Sequence, residues 1–538
     1  MLTRITWIAA AAACVALSGC AARTDVSVAA SVQPQYTHVW VTFQEIWFNT
    51  SSTATPVDTG WNKFSLDKPV TVDLATLTAG ALGQIASNLK VPPGKYTQIR
   101  LLPVDETTDL TSSASDAGAK YNSEADFIDS AGGAHQVPLE LLNPEQGIGI
   151  QTSINLKADT STSGSGTTTS LALVIDGMHD LVQFTYGKQI GVLLSPHAVG
   201  YDVSDAGTIQ GTIDLTGIGT SIDAAGRVNV AVTAESLSSD GTRHIAVKTV
   251  PVAQDGTFVL YPLPTDADTP VTYDLVVHGP GIATVIIKSV PVSAGDPTTT
   301  AVASVGTVPA RAATSFAVNL KEDQAAPPGA LIDFYETLPL SGEQPYLIDE
   351  TPLDPFGGTF LADHPLSQET IDFGTYAGGG NVALTTATPV QGAGVYAVAA
   401  QSSLFADGDL NTKVAPSNGT DTVLTGVETL QPVTGSVSGT LSVAVIVPTT
   451  GKYNHGNVIV SHDGQVIQTA SLDSALAQGS GAGLVIDGLP AGSATDLYYL
   501  SWRAWNSRDP AGTLQRQSVA TPVDLRSVSA AELAFAVN

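Results

Sequence analysis

GTIQGTIDLTG occupies residues 207–217, and GSVSGTLSVAV at 435–445 repeats its pattern with glycines in matching places. In the first stretch Ile209, Ile213 and Leu215 share one face across Gly211, the period-2 arrangement of a half-buried strand. An apolar strand follows later in each unit, Val259 to Pro262 in one and Val485-Ile486-Asp487-Gly488-Leu489-Pro490 in the other. Two related sandwich modules are therefore expected, at 206–305 and 434–538.

Working outward, Arg227-Val228-Asn229-Val230-Ala231-Val232, Val271 to Val277 and Ala283 to Ile287 continue the strand series. Asp255-Gly256, between two short strand candidates, is a hairpin signal. Short strands punctuated by turn residues at roughly 8–12-residue intervals are the mark of a sandwich. Region 306–433 is richer in proline and glycine, with Gly378-Gly379-Gly380 in it, and is expected to fold as a further β domain.

Toward the N-terminus, Val39, Val41 and Phe43 alternate with Trp40, Thr42 and Gln44. Tyr96 to Leu102 follows a Pro-Pro-Gly turn and reads as another strand, as do Leu171 to Ile175 and Gln189 to Leu194. One helix is expected, over Leu74 to Leu89, from Leu74, Leu77, Leu82, Ile85 and Leu89 at roughly helical spacing, although Gly80 and Gly83 interrupt it. The Ser/Thr/Gly-rich stretch 159–170 reads as a loop. Residues 21–34, small and polar with a terminal proline, read as a tether reaching roughly 20 Å. The fold class that results is mainly β, with several antiparallel β-sandwich domains in series.

Composition narrows the function. The chain has 538 residues, 43% hydrophobic and only 13% charged. Fifty acidic residues against 22 basic ones give a net charge of −28. That balance opposes nucleic-acid binding, which needs basic surface to displace counterions, and it opposes a polybasic membrane anchor.

The leader MLTRITWIAAAAACVALSGC has a basic Arg4, an apolar run from Ile5 to Leu17 too short for a stable span, and small residues before Cys20. Leu17-Ser18-Gly19-Cys20 resembles the lipobox of bacterial lipoproteins. The resemblance implies a signal peptide at 1–19, diacylglycerol (with palmitate-type chains) on the Cys20 sulfur, and cleavage between Gly19 and Cys20. Residues 20–34 are then the lipidated tether. The alternative is an ordinary secretory leader with Cys20 incidental. Cysteine arithmetic favours lipid: Cys14 is lost with the leader, so Cys20 is the only thiol left. In a Gram-negative cell Ala21 implies an outer-membrane address. Two or three acyl chains hold stably where one binds marginally.

Residues 35–205 are expected to form the first domain, and 36–203 resemble a bacterial family called domain of unknown function 4382. The matching pieces are Val39-Trp40-Val41-Thr42-Phe43-Gln44-Glu45-Ile46, Trp61 and Phe64, Val72-Asp73-Leu74 with Leu77, Asn88 to Leu101, and the closing strands 171–176 and 190–199. One departure is Gly177-Met178-His179, where the family shows a second acidic position after its Asp. The resemblance implies a β-sandwich on an exported lipoprotein and carries no activity. The two repeat units resemble carboxypeptidase-regulatory-like or prealbumin-like (Ig-like) sandwiches, by their G-x-x-x-G first strand and the turn Asp255-Gly256-Thr257-Phe258.

No reaction chemistry is legible. The nucleophile elbow, H-E-x-x-H, a Walker loop and a complete G-x-G-x-x-G are all missing, and the nine histidines are scattered. No cofactor, catalytic residue or metal ligand is therefore assigned. Asp407-Gly408-Asp409-Leu410-Asn411 resembles half of a calcium loop, but Asn418 stands where the closing acid should be. Trp40, Trp47 and Trp61, or Trp502 and Trp505, could form a sugar-binding platform, though strand tryptophans more often pack in cores. The leading expectation is a non-enzymatic envelope lipoprotein displaying a row of β-sandwiches for binding or adhesion. Its partners would be the bilayer, through acylated Cys20, and an undefined glycan or envelope protein. The alternatives are a carbohydrate-binding surface protein and a carboxylate-based glycoside hydrolase.

Overall fold

The computed structural model describes residues 21–537 except 159–167, 219–225, 267–270, 296–301, 321–328, 357–363, 381, 418–421, 425–429, 434–435, 448–451, 480, 494–496 and 509–513. Cys20 and Gly19, with the rest of the leader, lie outside the described residues.

The first domain is built from twelve strands. In chain order they are β1 (Ala22–Ala30), β2 (Tyr36–Asn49), β3 (Asn62–Asp73), β4 (Gly83–Val91), β5 (Gly94–Pro103) and β6 (Ser123–Ile128). They continue with β7 (Ala134–Leu141), β8 (Ile148–Leu156), β9 (Thr168–Ile175), β10 (Leu181–Tyr186), β11 (Gln189–Leu194) and β12 (Ala198–Asp202). One hydrogen-bonded path runs β10-β11-β7-β6-β2-β5-β8-β12-β9-β1-β4, and β3 pairs with β2 off it. The path curls around a single core that includes Val26, Val39, Phe43, Ile99, Ile150 and Leu173.

Two expectations fail here for identifiable reasons. Residues 22–30 are no tether. They form β1, parallel to β9 and antiparallel to β4, with Ala22, Thr24, Val26 and Val28 buried. The alternation is real, but alanine and threonine carry half of it and leave the stretch looking like linker. Residues 74–89 are no helix either. Asp73 caps a single 3-10 turn, Leu74–Leu77, by accepting from the Ala75 N–H. Gly80 then turns the chain at φ +80°, and β4 begins at Gly83. A short turn followed by a strand mimics helical spacing.

Three modules follow. The first holds β13 (Ala206–Asp214), β14 (Ala231–Leu237), β15 (His244–Pro251), β16 (Thr257–Pro264), β17 (Val271–His278), β18 (Val285–Val292) and β19 (Ala303–Pro309). It therefore runs past residue 305. The second holds β20 (Ser315–Leu320), β21 (Leu331–Glu336), β22 (Tyr346–Pro352), β23 (His364–Ser367), β24 (Ile371–Thr375), β25 (Thr385–Ala387), β26 (Tyr396–Gln401), β27 (Thr412–Val414) and β28 (Thr422–Leu424). The third holds β29 (Val437–Ile446), β30 (His455–His462), β31 (Gln465–Ser471), β32 (Ala482–Ala491), β33 (Leu497–Trp505), β34 (Gln515–Asp524) and β35 (Ala530–Ala536).

All three share one topology. The small sheets run β16-β13-β19, β23-β20-β28 and β32-β29-β35, and the facing sheets contain β15-β14-β17-β18, β22-β21-β26-β27 and β31-β30-β33-β34. In each, the first strand is central, antiparallel to one neighbour and parallel to the last strand. The matched glycines explain the repeat. A Cβ on Gly211 would lie 2.5 Å from Val305 and 2.9 Å from Phe258, and one on Gly439 would lie 2.8 Å from Ala491. The middle module lacks such a glycine in β20, which hides its kinship. Asp255-Gly256 makes a tight turn, but β15 and β16 belong to opposite sheets, so it is a sheet-crossing turn rather than a hairpin.

Contacts between domains are extensive. The inserted β24–β25 pair joins the sheet of the first module, β24 running parallel to β18. The third module packs back on the first domain. Leu142, Phe184 and Leu193 cluster with Ile459 and Val466, Arg100 pairs with Asp463, and the Ser461 hydroxyl donates to the Asn143 side chain at 2.9 Å. Arg516 reaches Glu106 at 2.7 Å and Glu140 at 3.4 Å. The domains follow in series along the chain but close into a ring in space. No helix among the described residues is long and apolar enough to cross a membrane.

Candidate functional site

The ring leaves a cavity of about 570 Å³ where the first domain, the first module and the second module meet. The first domain contributes the turn after β9 and the start of β12, the first module β15, and the second module β21 and β22. Exposed Val199 and Ile245 sit on its rim with Ser239 and Asp407.

The turn after β9 folds around Asp176. Its carboxylate accepts from the Met178 N–H at 3.1 Å and from His179 Nδ1 at 2.8 Å. Gly177 fits because a Cβ there would lie 2.7 Å from the Ser31 carbonyl. His179 stands between Asp176 and Glu350, the latter 3.5 Å away. Burial opposes its charge, but these two carboxylates outweigh burial and lift its pKa to about 10. The imidazolium in turn holds Asp176 below the usual carboxylate range, against the effect of burial.

Asp180, fully buried, accepts from the backbone N–H of His197 at 3.0 Å and from its ring at 2.8 Å. Its second oxygen has no partner. Burial pushes its pKa up to about 6, with His197 opposing. Lys248, on β15, is 7% exposed and makes no hydrogen bond or ion pair among the described residues. Burial lowers its pKa to about 8 against the pull of Asp176.

The second module supplies the acidic wall. Asp333 on β21 faces Glu350 on β22 across the strand pair. One Asp333 oxygen accepts from the Tyr335 hydroxyl at 3.1 Å, and the other has no partner. Burial first and Glu350 second push the Asp333 carboxyl well above its usual range. Glu350 is raised too, by burial, with His179 opposing. Behind this wall Asp349 holds His364 at 3.0 Å.

The residues singled out from sequence are dispersed. Asp407 lies on the cavity rim, while Asp409 folds back on Asn411 and accepts its N–H at 2.9 Å. Asn418 lies outside the described residues. Among the described residues no group of three or more His, Cys, Asp or Glu side chains is arranged to hold a metal ion. Trp47 and Trp61 are neighbours, ring centroids 6.0 Å apart, but the Lys63 ammonium covers Trp47 at 3.4 Å. Trp40 stacks on His38. Trp502 is buried in the core of the third module, whereas Trp505 packs against His455 and Tyr186. Three residues apart on one strand, those two indoles face opposite sides and form no common platform. The cavity groups come from sequence positions far apart, and the only local signal among them was the departure at Gly177-Met178-His179.

The family model described as domain of unknown function (DUF4382) matches residues 23–196, which include all of β1 but its first residue. No curated protein matches the chain. Among solved structures, the TIE protein of Bacillus anthracis is 10% identical, with a TM-score of 0.16, over 95% of this chain and 73% of that one. A streptococcal ancillary pilin is 9% identical, with a TM-score of 0.15, over 61% of this chain and 98% of that one. The major pilin SpaD of Corynebacterium diphtheriae is 12% identical, with a TM-score of 0.13, over 63% and 98%. Identities and scores this low carry nothing about ligand or role.

Proposed function

We propose that this chain is a lipid-anchored, non-catalytic binding protein of the bacterial cell envelope, which takes its ligand in the three-domain cavity. The observation that carries the reading is that cavity, whose walls hold buried carboxylate oxygens of Asp180 and Asp333 without partners. Buried polar groups are ordinarily satisfied. Where they line a cavity, a ligand is the natural partner.

The anchor rests on Cys20 and the lipobox around it. Because β1 begins at Ala22, an acylated Cys20 would set the first domain directly at the headgroups, with no spacer. The outer membrane remains the address that Ala21 implies. The first and third modules keep the carboxypeptidase-regulatory-like reading, and all three, alike in strand order, act in this proposal as walls and braces. The test is fractionation of cells expressing the full chain. Cys20→Ser is expected to move the protein from membrane to soluble fraction, and globomycin to leave a larger precursor. A Cys20→Ser protein still in the membrane fraction sinks the anchor.

One observation favours a second reading, a carboxylate-based glycoside hydrolase: Asp333 and Glu350 face each other, with the Asp333 carboxyl pushed well above its usual range by burial. Polysaccharide turnover abolished by Asp333→Asn would establish it. Recognition of glycans by stacked tryptophans finds little support, since Lys63 covers Trp47 and Trp502 is core.

A further inference from the structure

A buried ammonium and a buried carboxyl group line the same cavity. Among the described residues Lys248, 7% exposed, makes no hydrogen bond or ion pair, and the Asp333 carboxyl, 3% exposed, leaves one oxygen unpartnered. They do not pair with each other. A charge buried without a partner costs several kcal/mol, and breaking a buried pair costs about 3–5 kcal/mol.

The surroundings sharpen the contrast. Asp176 is the carboxylate that acts on Lys248, and it is shared with His179 at 2.8 Å. Around Asp333 stand Glu350 and the rim carboxylate of Asp407, with Arg243 the nearby cation. Arg243 donates to the Gly408 carbonyl at 3.0 Å rather than to Asp333. The lining also includes apolar Leu331, Leu347 and Val247.

We propose that the cavity binds a small zwitterion, an amino acid or short peptide, whose carboxylate pairs with Lys248 and whose ammonium pairs with Asp333 and Glu350. This rests on the cavity being the ligand site and deepens that reading. A carboxylate alone would serve Lys248 and leave the Asp333 oxygen without a partner. A zwitterion satisfies both and adds no net charge to a chain already at −28. Charge-assisted hydrogen bonds of this kind are roughly twice as strong as neutral ones.

The experiment is calorimetric titration of the full chain without its leader against a spacing series: glycine, 4-aminobutyrate, 6-aminohexanoate and a dipeptide. Butylamine and butyrate are the single-charge controls. At least one zwitterion is expected to bind at least 10-fold more tightly than both controls. Lys248→Met and Asp333→Asn, each close in shape to the residue replaced, should each weaken it at least 10-fold. If butylamine or butyrate binds as tightly as every zwitterion, or if no zwitterion binds, the proposal falls. Should either variant fail to fold, the ranking of zwitterions against controls on the unaltered protein decides alone. Failure here leaves the fractionation of Cys20→Ser untouched, so the anchor and the ligand are judged separately.

Discussion

Gly306 in β19 has φ +67°, and a Cβ there would lie 1.6 Å from the Gly380 carbonyl oxygen. Gly378, Gly379 and Gly380 all have positive φ, +82°, +73° and +78°. The triple glycine, in sequence only a mark of looseness, thus builds a left-handed turn that touches the first module. Two substitutions separate strain from contact. Gly380→Ala meets no atom closer than 3.6 Å, so it should cost about 1–2 kcal/mol, the ordinary penalty for a left-handed alanine. Gly306→Ala carries the same penalty plus a backbone clash, and should cost at least about 2 kcal/mol more. Urea denaturation midpoints measure both. Equal losses would mean that the two backbones do not approach as described.

At the scale of elements, the strands with bulky β-branched residues were legible and those made of small residues were not. Val39 to Phe43 announced β2, and the glycine-spaced repeat announced β13 and β29. β1 stayed hidden because Ala22 and Thr24 carry its buried face, and β20 because it has no glycine to match. The cavity was illegible for a different reason: Asp176, Lys248 and Asp333 come from three domains, and no local pattern joins them. β1 offers a direct check. It lies between β9 and β4, and Val26 is fully buried. Val26→Asp places a carboxylate in that core, at a cost of several kcal/mol, and should unfold the first domain or leave it insoluble. A tether would tolerate the change. Circular dichroism melting of the soluble protein distinguishes them, and an unchanged midpoint would return residues 22–30 to the status of linker.

The whole molecule closes through seams that bury acids, and this fixes how its stability must respond to pH. Glu106, where the third module meets the first domain, is pushed up to about 7 by burial, with Arg516 opposing. Glu336, beside Thr284 of the first module, is pushed up to about 8 by burial, which its hydrogen bond from Thr284 only partly offsets. Asp180 is pushed up to about 6. In the unfolded chain these carboxyls titrate near 4. Between about pH 4.5 and 8 the folded protein therefore holds more protons than the unfolded one, and stability falls as pH rises. His179, lifted to about 10 by Asp176 and Glu350 against burial, acts in the same direction above its ordinary pKa of 6.5. Asp463, lowered to about 2 mainly by Arg100 against burial, contributes fully throughout this window and loses its contribution only in acid. Lys248, lowered to about 8 by burial, costs stability across this window, and the cost is relieved only as pH rises past about 8. The net charge of −28 adds self-repulsion as the acids ionise. One pH unit of displacement is worth about 1.4 kcal/mol, so Glu106 and Glu336 alone amount to several kcal/mol. The melting temperature should be highest near pH 5 and fall steadily toward pH 8. Glu106→Gln should flatten that slope, raising the melting temperature at pH 8 while leaving it nearly unchanged at pH 5. A midpoint that climbs from pH 5 to pH 8 would mean that these carboxyls are solvated, and that the ring is open where the structure closes it.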